Sequence, residues 1–363
     1  MLPTMPTNPN VPNRSAISSL GVPLLLCCLG VGIVLFFDYV YRDNDNWFGL
    51  PSSDYRDIPP ELITYKQTSV FACPVNGKPI CFALLGDSIF VIGSVNPHTL
   101  SFFDEKGTLL RKVDLPEEPK TIVCGTANTI FTNKIVVTHP AQIAVYNAEG
   151  EHEFVLWKDP KMPPLGTITN KGYIIVDLRS LVLTSDYLFA ADTNQCSIYR
   201  FTTEGDLDLT FDFEDFTVYA SPITMTFSHA DGLLYIANPG KHRVEVFTQD
   251  GVHRPELSWG EPSGNLNGFA ACCNPIDVVA LDDGRIVTVE KAVSRIKIFG
   301  SNGKLDGVVA GHNVLERIPP SIQNRQPLEP GGRYFSAVPL SEERIAVFDF
   351  DGQLIRIFAP LLP

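Results

Sequence analysis

The patterning of the chain falls into two regimes. Residues Ser15 to Phe37 hold 23 consecutive positions without a charged side chain. As a helix this run is roughly 34 Å long at 1.5 Å per residue, enough to cross a bilayer core. From about residue 62 onward the pattern changes to short strand-like alternations separated by polar turns. In KHRVEVFTQDG, Val244 and Val246 alternate with Arg243 and Glu245, and Asp250-Gly251 turns the chain. In SRIKIFGSNG, Ile296 and Ile298 alternate in the same way before Asn302-Gly303. A period of two is that of half-buried strands, and the turn dipeptides are hairpin signals. No stretch of this region sustains a 3.6-residue period, so helices are expected to be few.

The alternations recur. Five segments end alike, SFFDEKG at Gly107, AVYNAEG at Gly150, YRFTTEG at Gly205, EVFTQDG at Gly251 and KIFGSNG at Gly303. A sixth, IRIFAPL, lies beside the last residues. The glycines are 43, 55, 46 and 52 residues apart, a period typical of propellers and related arrays. Six repeats predict an all-β, six-bladed β-propeller, each blade a four-stranded antiparallel sheet around a channel. The last repeat leaves too little chain for its outer strand. The β-prone segment 62–71 (LITYKQTSVF) is expected to supply it and close the ring, which leaves no long open edge.

Charge places the apolar run. Arg14 is the only charged side chain before it, and Asp38, Arg42, Asp43 and Asp45 follow. A signal peptide has a shorter core and small residues at its cleavage site; here the run continues into Phe36, Phe37, Tyr39 and Tyr41. The expected organisation is therefore a disordered tail over 1–14, a transmembrane anchor over 15–41, a linker over 42–61 and the propeller over 62–363. Arg14 and the aromatic belt favour a cytoplasmic N-terminus and an extracytoplasmic propeller, periplasmic or extracellular. The net charge of −13 argues against nucleic acid as a partner, because an acidic surface repels phosphate.

Other features align upstream of each terminal aromatic. DDGRIVTVEKAVSRIKIF and ADGLLYIANPGKHRVEVF share a turn glycine (Gly284, Gly232), a strand and a polar loop; NPIDVVALDDG and SPITMTFSHADG each have a Pro before the inner strand. These segments resemble the NHL repeat. The resemblance covers about Pro79 to Pro360 and is best in blades four and five, while Ile276 and Ile223 stand where the repeat has Gly. It implies that the loop after each blade's second strand faces one end of the channel, with an acidic residue at its start and an Arg near its end. Those positions are Asp192, Asn238, Glu290 and Asp349, with Arg243 and Arg295. Such a ring would bind a cation, with Ca or Zn as candidates, or a polar ligand; the alternative is that these groups cap strand ends. NHL-like lyases gather histidines for zinc, and His98, His139 and His242 lie in comparable loops.

The cysteines add further candidates. Cys272 and Cys273 are adjacent, where the repeat asks for no cysteine, and a vicinal disulfide there would be strained and redox-active. Cys73 and Cys81 flank Asn76-Gly77 and are candidates for a structural disulfide across that turn. No nucleotide-binding loop, nucleophile elbow or HExxH motif occurs. Three functions follow as alternatives. The first is a membrane-tethered binding or scaffold module for a protein, peptide or glycan. The second is a metal-dependent lyase or lactonase-type enzyme using channel-facing Asp, Glu or His. The third is a redox accessory protein acting through Cys272-Cys273.

Overall fold

The computed structural model describes residues 57–160, 176–212, 223–271, 273–291, 293–317 and 334–361. The expected tail over 1–14, the anchor expected over 15–41 and the linker as far as residue 56 lie outside the described residues. Among the described residues no helix is long and apolar enough to cross a membrane.

The described residues form a six-bladed, all-β propeller. Blade one comprises β2 (Lys78–Leu85), β3 (Ile89–Val95), β4 (Thr99–Phe103) and β5 (Leu109–Asp114). Blade two holds β6 (Thr121–Cys124), β7 (Ile135–His139), β8 (Gln142–Tyr146) and β9 (His152–Lys158). Blade three holds β10 (Leu178–Leu183), β11 (Leu188–Asp192), β12 (Ser197–Phe201) and β13 (Leu207–Asp212). Blade five holds β17 (Asp277–Ala280), β18 (Ile286–Glu290), β19 (Arg295–Phe299) and β20 (Leu305–Ala310). In blade six, β21 (Phe335–Pro339), β22 (Ile345–Asp349) and β23 (Leu354–Pro360) are completed by β1 (Tyr65–Ala72) from the other end of the ring. Tyr65 lies opposite Pro360 and Ala72 opposite Leu354.

Blade four departs from the expected four strands. Among the described residues it has three, β14 (Thr224–Ser228), β15 (Leu233–Asn238) and β16 (Arg243–Thr248). The chain beyond still covers the edge of β16 at two points, Phe247 opposite His253 and Val244 opposite Trp259. Between them Arg254 N donates to Val246 O, and then Leu257 N donates back to Arg254 O at 3.0 Å, so a turn interrupts the ladder. Pro255 stands inside that turn and has no N–H to give to a strand.

The blades pack through their alternating apolar residues. Val91, Leu100, Phe102, Ile135, Val137 and Tyr146 form the seam between blades one and two, and Tyr235, Val244, Val246, Val278, Ile286 and Phe299 that between four and five. The recurrent glycine has a packing reason as well as a turn reason. Gly205 has φ +87°, and a Cβ there would fall 1.9 Å from the Leu156 carbonyl oxygen on β9. Gly150, Gly251 and Gly303 meet Val113, Phe211 and Trp259 in the same way. In blades two to five the last hairpin is thus pressed against the outer part of the preceding blade.

Candidate functional site

Antiparallel pairing brings the first residue of each inner strand to the same end of the ring as the turn between the second and third strands. In blade five Asp277 pairs with Val289, and the neighbouring Glu290 pairs with Arg295. Two sets of polar residues therefore share this end, and the structure gives them different tasks.

The first set comprises the loop residues that the repeat pattern singles out. Asp192 is buried; its Oδ1 accepts from the backbone N–H groups of Asp177, Asn194 and Gln195. Burial pushes its carboxyl above the ordinary range, partly offset by those bonds and by Tyr199. Asn238 Oδ1 accepts from Lys241 N at 3.1 Å, and Asp349 Oδ1 from Gly352 N at 2.8 Å. Arg243 donates to Ser258 O. Glu290 takes two cations at 3.0 Å, Arg295 through Nη2 and Lys297 through Nζ, and accepts from Ala270 N. Arg295 also donates to Gly264 O, and Lys297 donates to Leu266 O and Gly268 O. The pair holds the long segment between blades four and five against the blade. Burial opposes the Glu290 charge, but Lys297 and Arg295 outweigh it and hold the carboxyl below the usual range. Asp192, Asn238 and Asp349 cap turns inside their own blades, Arg243, Glu290 and Arg295 brace the segment that follows blade four, and none of the six is among the residues lining the channel. Among the described residues no three carboxylates of this set stand close enough together to hold a metal ion.

The histidines do not gather either. His139 Nδ1 donates to Glu118 O at 3.2 Å, which leaves Nε2 to accept from the Tyr146 hydroxyl at 2.9 Å. His242 Nδ1 donates to Phe269 O. Burial lowers the pKa of both imidazoles, against the pull of those carbonyls. Among the described residues no three His, Cys, Asp or Glu side chains stand close enough together to hold a metal ion.

The hairpin disulfide between Cys73 and Cys81 is a correction. Both are free thiols. The turn between them carries their side chains to opposite sides of blade one. Cys73 packs with Phe82, Phe90 and Phe348 on the blade-six side, and Cys81 with Cys124 on the blade-two side. Burial pushes each thiol up to about 12. Cys273 is buried behind the turn that precedes the inner strand of blade five, and Cys272 lies outside the described residues.

The second set lines the central channel, a cavity of about 590 Å³ walled by all six inner strands. At the end just described it is lined by Lys120, Arg179, Thr224, Asp277, Tyr334 and Ser336. Asp277 joins blades five and six: its Oδ2 accepts from Ser336 Oγ at 2.8 Å and Ala337 N at 3.0 Å, while Oδ1 accepts from Val278 N. Burial pushes its carboxyl up to about 6, opposed by the bonds from Ala337, Ser336, Val278 and Thr224. Ser180 Oγ accepts from Met225 N, and Thr226 Oγ1 from Ala280 N. Side chains from one inner strand thus satisfy edge N–H groups of the next, where no ladder exists. Lys120 pairs with Glu118 at 2.9 Å, and Arg179 donates through Nε to Asp177 at 2.8 Å. The channel is thus a preformed, polar-lined cavity of the size that small ligands occupy.

Sequence reasoning missed these residues. The available signal was their place in the repeat, since Thr224 and Asp277 each stand two positions after the Pro that precedes an inner strand.

No family model matches the chain, and no curated protein sequence matches it. Solved structures do. A structural genomics protein from Bacteroides thetaiotaomicron is similar with a TM-score of 0.54 at 11% identity, covering 82% of this chain and 75% of that one. Virginiamycin B lyase from Staphylococcus aureus is similar with a TM-score of 0.52 at 12% identity, over 82% of this chain and all of that one. A streptogramin B lyase structure gives 0.51 at 11% identity, over 82% and 98%. At such identities the likeness shows the six-bladed propeller fold.

Proposed function

We propose that this chain is a binding module, a divergent NHL-type propeller that takes its ligand in the central channel. The observation that carries this reading is the division of labour at one end of the ring. The loop carboxylates and the Asn238 carbonyl oxygen cap turns, although Asn238 Nδ2 and Arg243 Nε find no partner among the described residues, whereas the inner strands present Lys120, Arg179, Thr224, Tyr334 and Ser336 to an open cavity of about 590 Å³. The ligand is a peptide, a glycan or a short segment of a protein, since the cavity offers many polar contacts along one narrow passage. The NHL assignment rests on the aligned turn glycines and capping residues. Membrane tethering through residues 15–37, with the propeller outside the cytoplasm, rests on the uncharged run, Arg14 and the aromatic belt. Cleavage of the propeller by protease added to sealed vesicles or intact cells would test that orientation.

The test of the binding reading is a variant that narrows the channel. Thr121, at the start of β6, lines the passage and is half-buried. A panel of short peptides and oligosaccharides is screened against wild type, Thr121→Trp and Asp192→Asn. The reading predicts that binders found with wild type lose at least tenfold in affinity with Thr121→Trp and little with Asp192→Asn. Binding that survives a narrowed channel and fails with the capping variant would contradict it.

A lyase reading has one specific observation behind it, the shared fold with two lyase structures. Fold alone does not carry activity, and no grouping of metal-binding side chains supports it among the described residues.

A further inference from the structure

The channel mouth at the end where the inner strands begin has two unlike sides. On one side stand blades two and three. Lys120 on the wall pairs with Glu118 at 2.9 Å, and Arg179 on the wall pairs with Asp177 at 2.8 Å. The bond from Lys120 holds the Glu118 carboxyl below the usual range, with a smaller pull from Arg179, so the two pairs form one row of alternating charge. Neither cation is free, and Asp277 beside them has its oxygens occupied by Ser336, Ala337 and Val278. The row thus offers donors and acceptors side by side with its charges already met. Glu118 and Asp177 keep 38% and 21% of their side chains exposed, which leaves room for further bonds.

On the other side stands blade six. The inner strands neighbour one another in chain order and β21 closes on β2, so blade six faces blade three across the channel. Tyr334 directly before β21 and Phe350 directly after β22 both line the cavity there. Their rings stand edge to face, 6.3 Å apart at 78°, and both are half-buried. The Phe350 amide donates to the Tyr334 carbonyl at 3.1 Å, and Phe348 backs the Phe350 ring at 4.9 Å. Lys291 approaches one face of Tyr334, 5.7 Å from its centroid. A paired-charge row therefore looks across the passage at an aromatic edge.

We propose that this mouth binds a neutral oligosaccharide, with the hydroxyl edge of one pyranose ring on the Lys120–Glu118 and Arg179–Asp177 row and its C–H face against Tyr334 and Phe350. This deepens the channel-binding reading and rests on it. A pyranose is amphipathic in the same sense as the mouth. Its neighbouring hydroxyls donate and accept side by side, as each ion pair does, and hydrogen bonds to charged groups are the stronger kind. Its C–H groups meet the negative face of an aromatic ring with their partial positive charge. A charged ligand gains little here, because the charges at this mouth are matched within the wall. An extended peptide carries its apolar groups on separate side chains, not on the face of the unit whose edge makes the bonds. Behind the mouth, the cavity of about 590 Å³ takes further sugar units.

The test is calorimetric titration of the purified full chain with cellotetraose, maltotetraose and N-acetylated chitotetraose, with tetragalacturonate and tetra-alanine as charged controls. At least one neutral tetrasaccharide is expected to bind, with an affinity that changes less than about twofold between 50 and 500 mM salt. Both controls are expected to bind at least tenfold more weakly. Tyr334→Ala is expected to weaken sugar binding at least tenfold, and Tyr334→Phe, which keeps the ring and its packing, less than about threefold. Arg179→Gln, at a half-exposed pair where folding is not at stake, is expected to weaken it at least fivefold. Binding of none of the three neutral sugars, tighter binding of either control, or an affinity that Tyr334→Ala and Arg179→Gln both leave unchanged would overturn the proposal. The broader reading fails separately: if tetra-alanine binds and Thr121→Trp removes it while no neutral sugar binds, the channel is a binding site and this assignment of its ligand is wrong.

Discussion

Asp277 and Ser336 stand on different blades, 2.8 Å apart, and their bond is one link in a chain of side-chain contacts that joins the inner strands around the channel. Asp277 also accepts from the Ala337 amide and from its own neighbour Val278. Inner strands of adjacent blades share no ladder, so these N–H groups would otherwise be unpaired beside the cavity. Asp277→Ala is expected to lower stability by about 2–3 kcal/mol, the cost of leaving such donors unmet. Urea unfolding would check this, and a loss below about 0.5 kcal/mol would show that water replaces the carboxylate without penalty.

The turn glycines make a second prediction by contrast. Gly205 and Gly232 both have positive φ, +87° and +73°, but a Cβ at Gly205 collides with the Leu156 carbonyl while one at Gly232 meets nothing within 4 Å. Gly232→Ala should cost only the left-handed backbone penalty, about 1–2 kcal/mol. Gly205→Ala should cost clearly more, or prevent folding, because blades two and three must separate to admit the methyl. Equal losses in thermal unfolding would refute the packing role of the repeat glycine.

Glu290 balances two buried cations. Glu290→Ala would strand Arg295 and Lys297 in the interior, and removing one partner of such a group costs about 3–5 kcal/mol. The same substitution should free the segment between blades four and five, visible as faster hydrogen exchange over residues 260–271.

Acid sensitivity follows from the two buried histidines. His139 and His242 have folded pKa values below their unfolded value of about 6.5. The unfolded state therefore binds more protons as the pH falls through that value, and their contribution to stability, complete above pH ~6.5, is lost on acidification. Asp277 has the opposite sign: its raised pKa makes the folded state hold the extra proton between about 4 and 6, so its contribution declines as pH rises through that window. Unfolding measured from pH 7.5 to 5 should show a decline that His139→Gln reduces and Asp277→Asn steepens. A His139→Gln profile as steep as wild type would contradict the assignment.

The repeat array was legible because each copy carries an alternating strand ending in an aromatic, and the first five add a turn glycine, signals that do not depend on neighbouring copies. The capping roles of Asp192, Asn238 and Asp349 were also weighed from the repeat, as the alternative to a binding ring. The channel was not legible. Lys120, Arg179, Thr224, Asp277 and Ser336 come from five repeats and share no residue type, so only ring closure brings them together. The proposed pairing of Cys73 with Cys81 failed for a related reason. A tight turn brings chain segments together, but the blade between them sends the two side chains into different seams. Alkylation should accordingly leave Cys73, Cys81 and Cys124 unmodified in the native protein and label all three after denaturation.

Hydrogen exchange with and without a bound peptide or oligosaccharide tests the central claim most directly. The account predicts that the ligand slows exchange along the inner strands that wall the channel, at 78–85, 121–124, 178–183, 224–228, 277–280 and 335–339. Protection confined to the outer strands or to the capped turns at 192–197 and 349–354, with the inner strands unchanged, would contradict it.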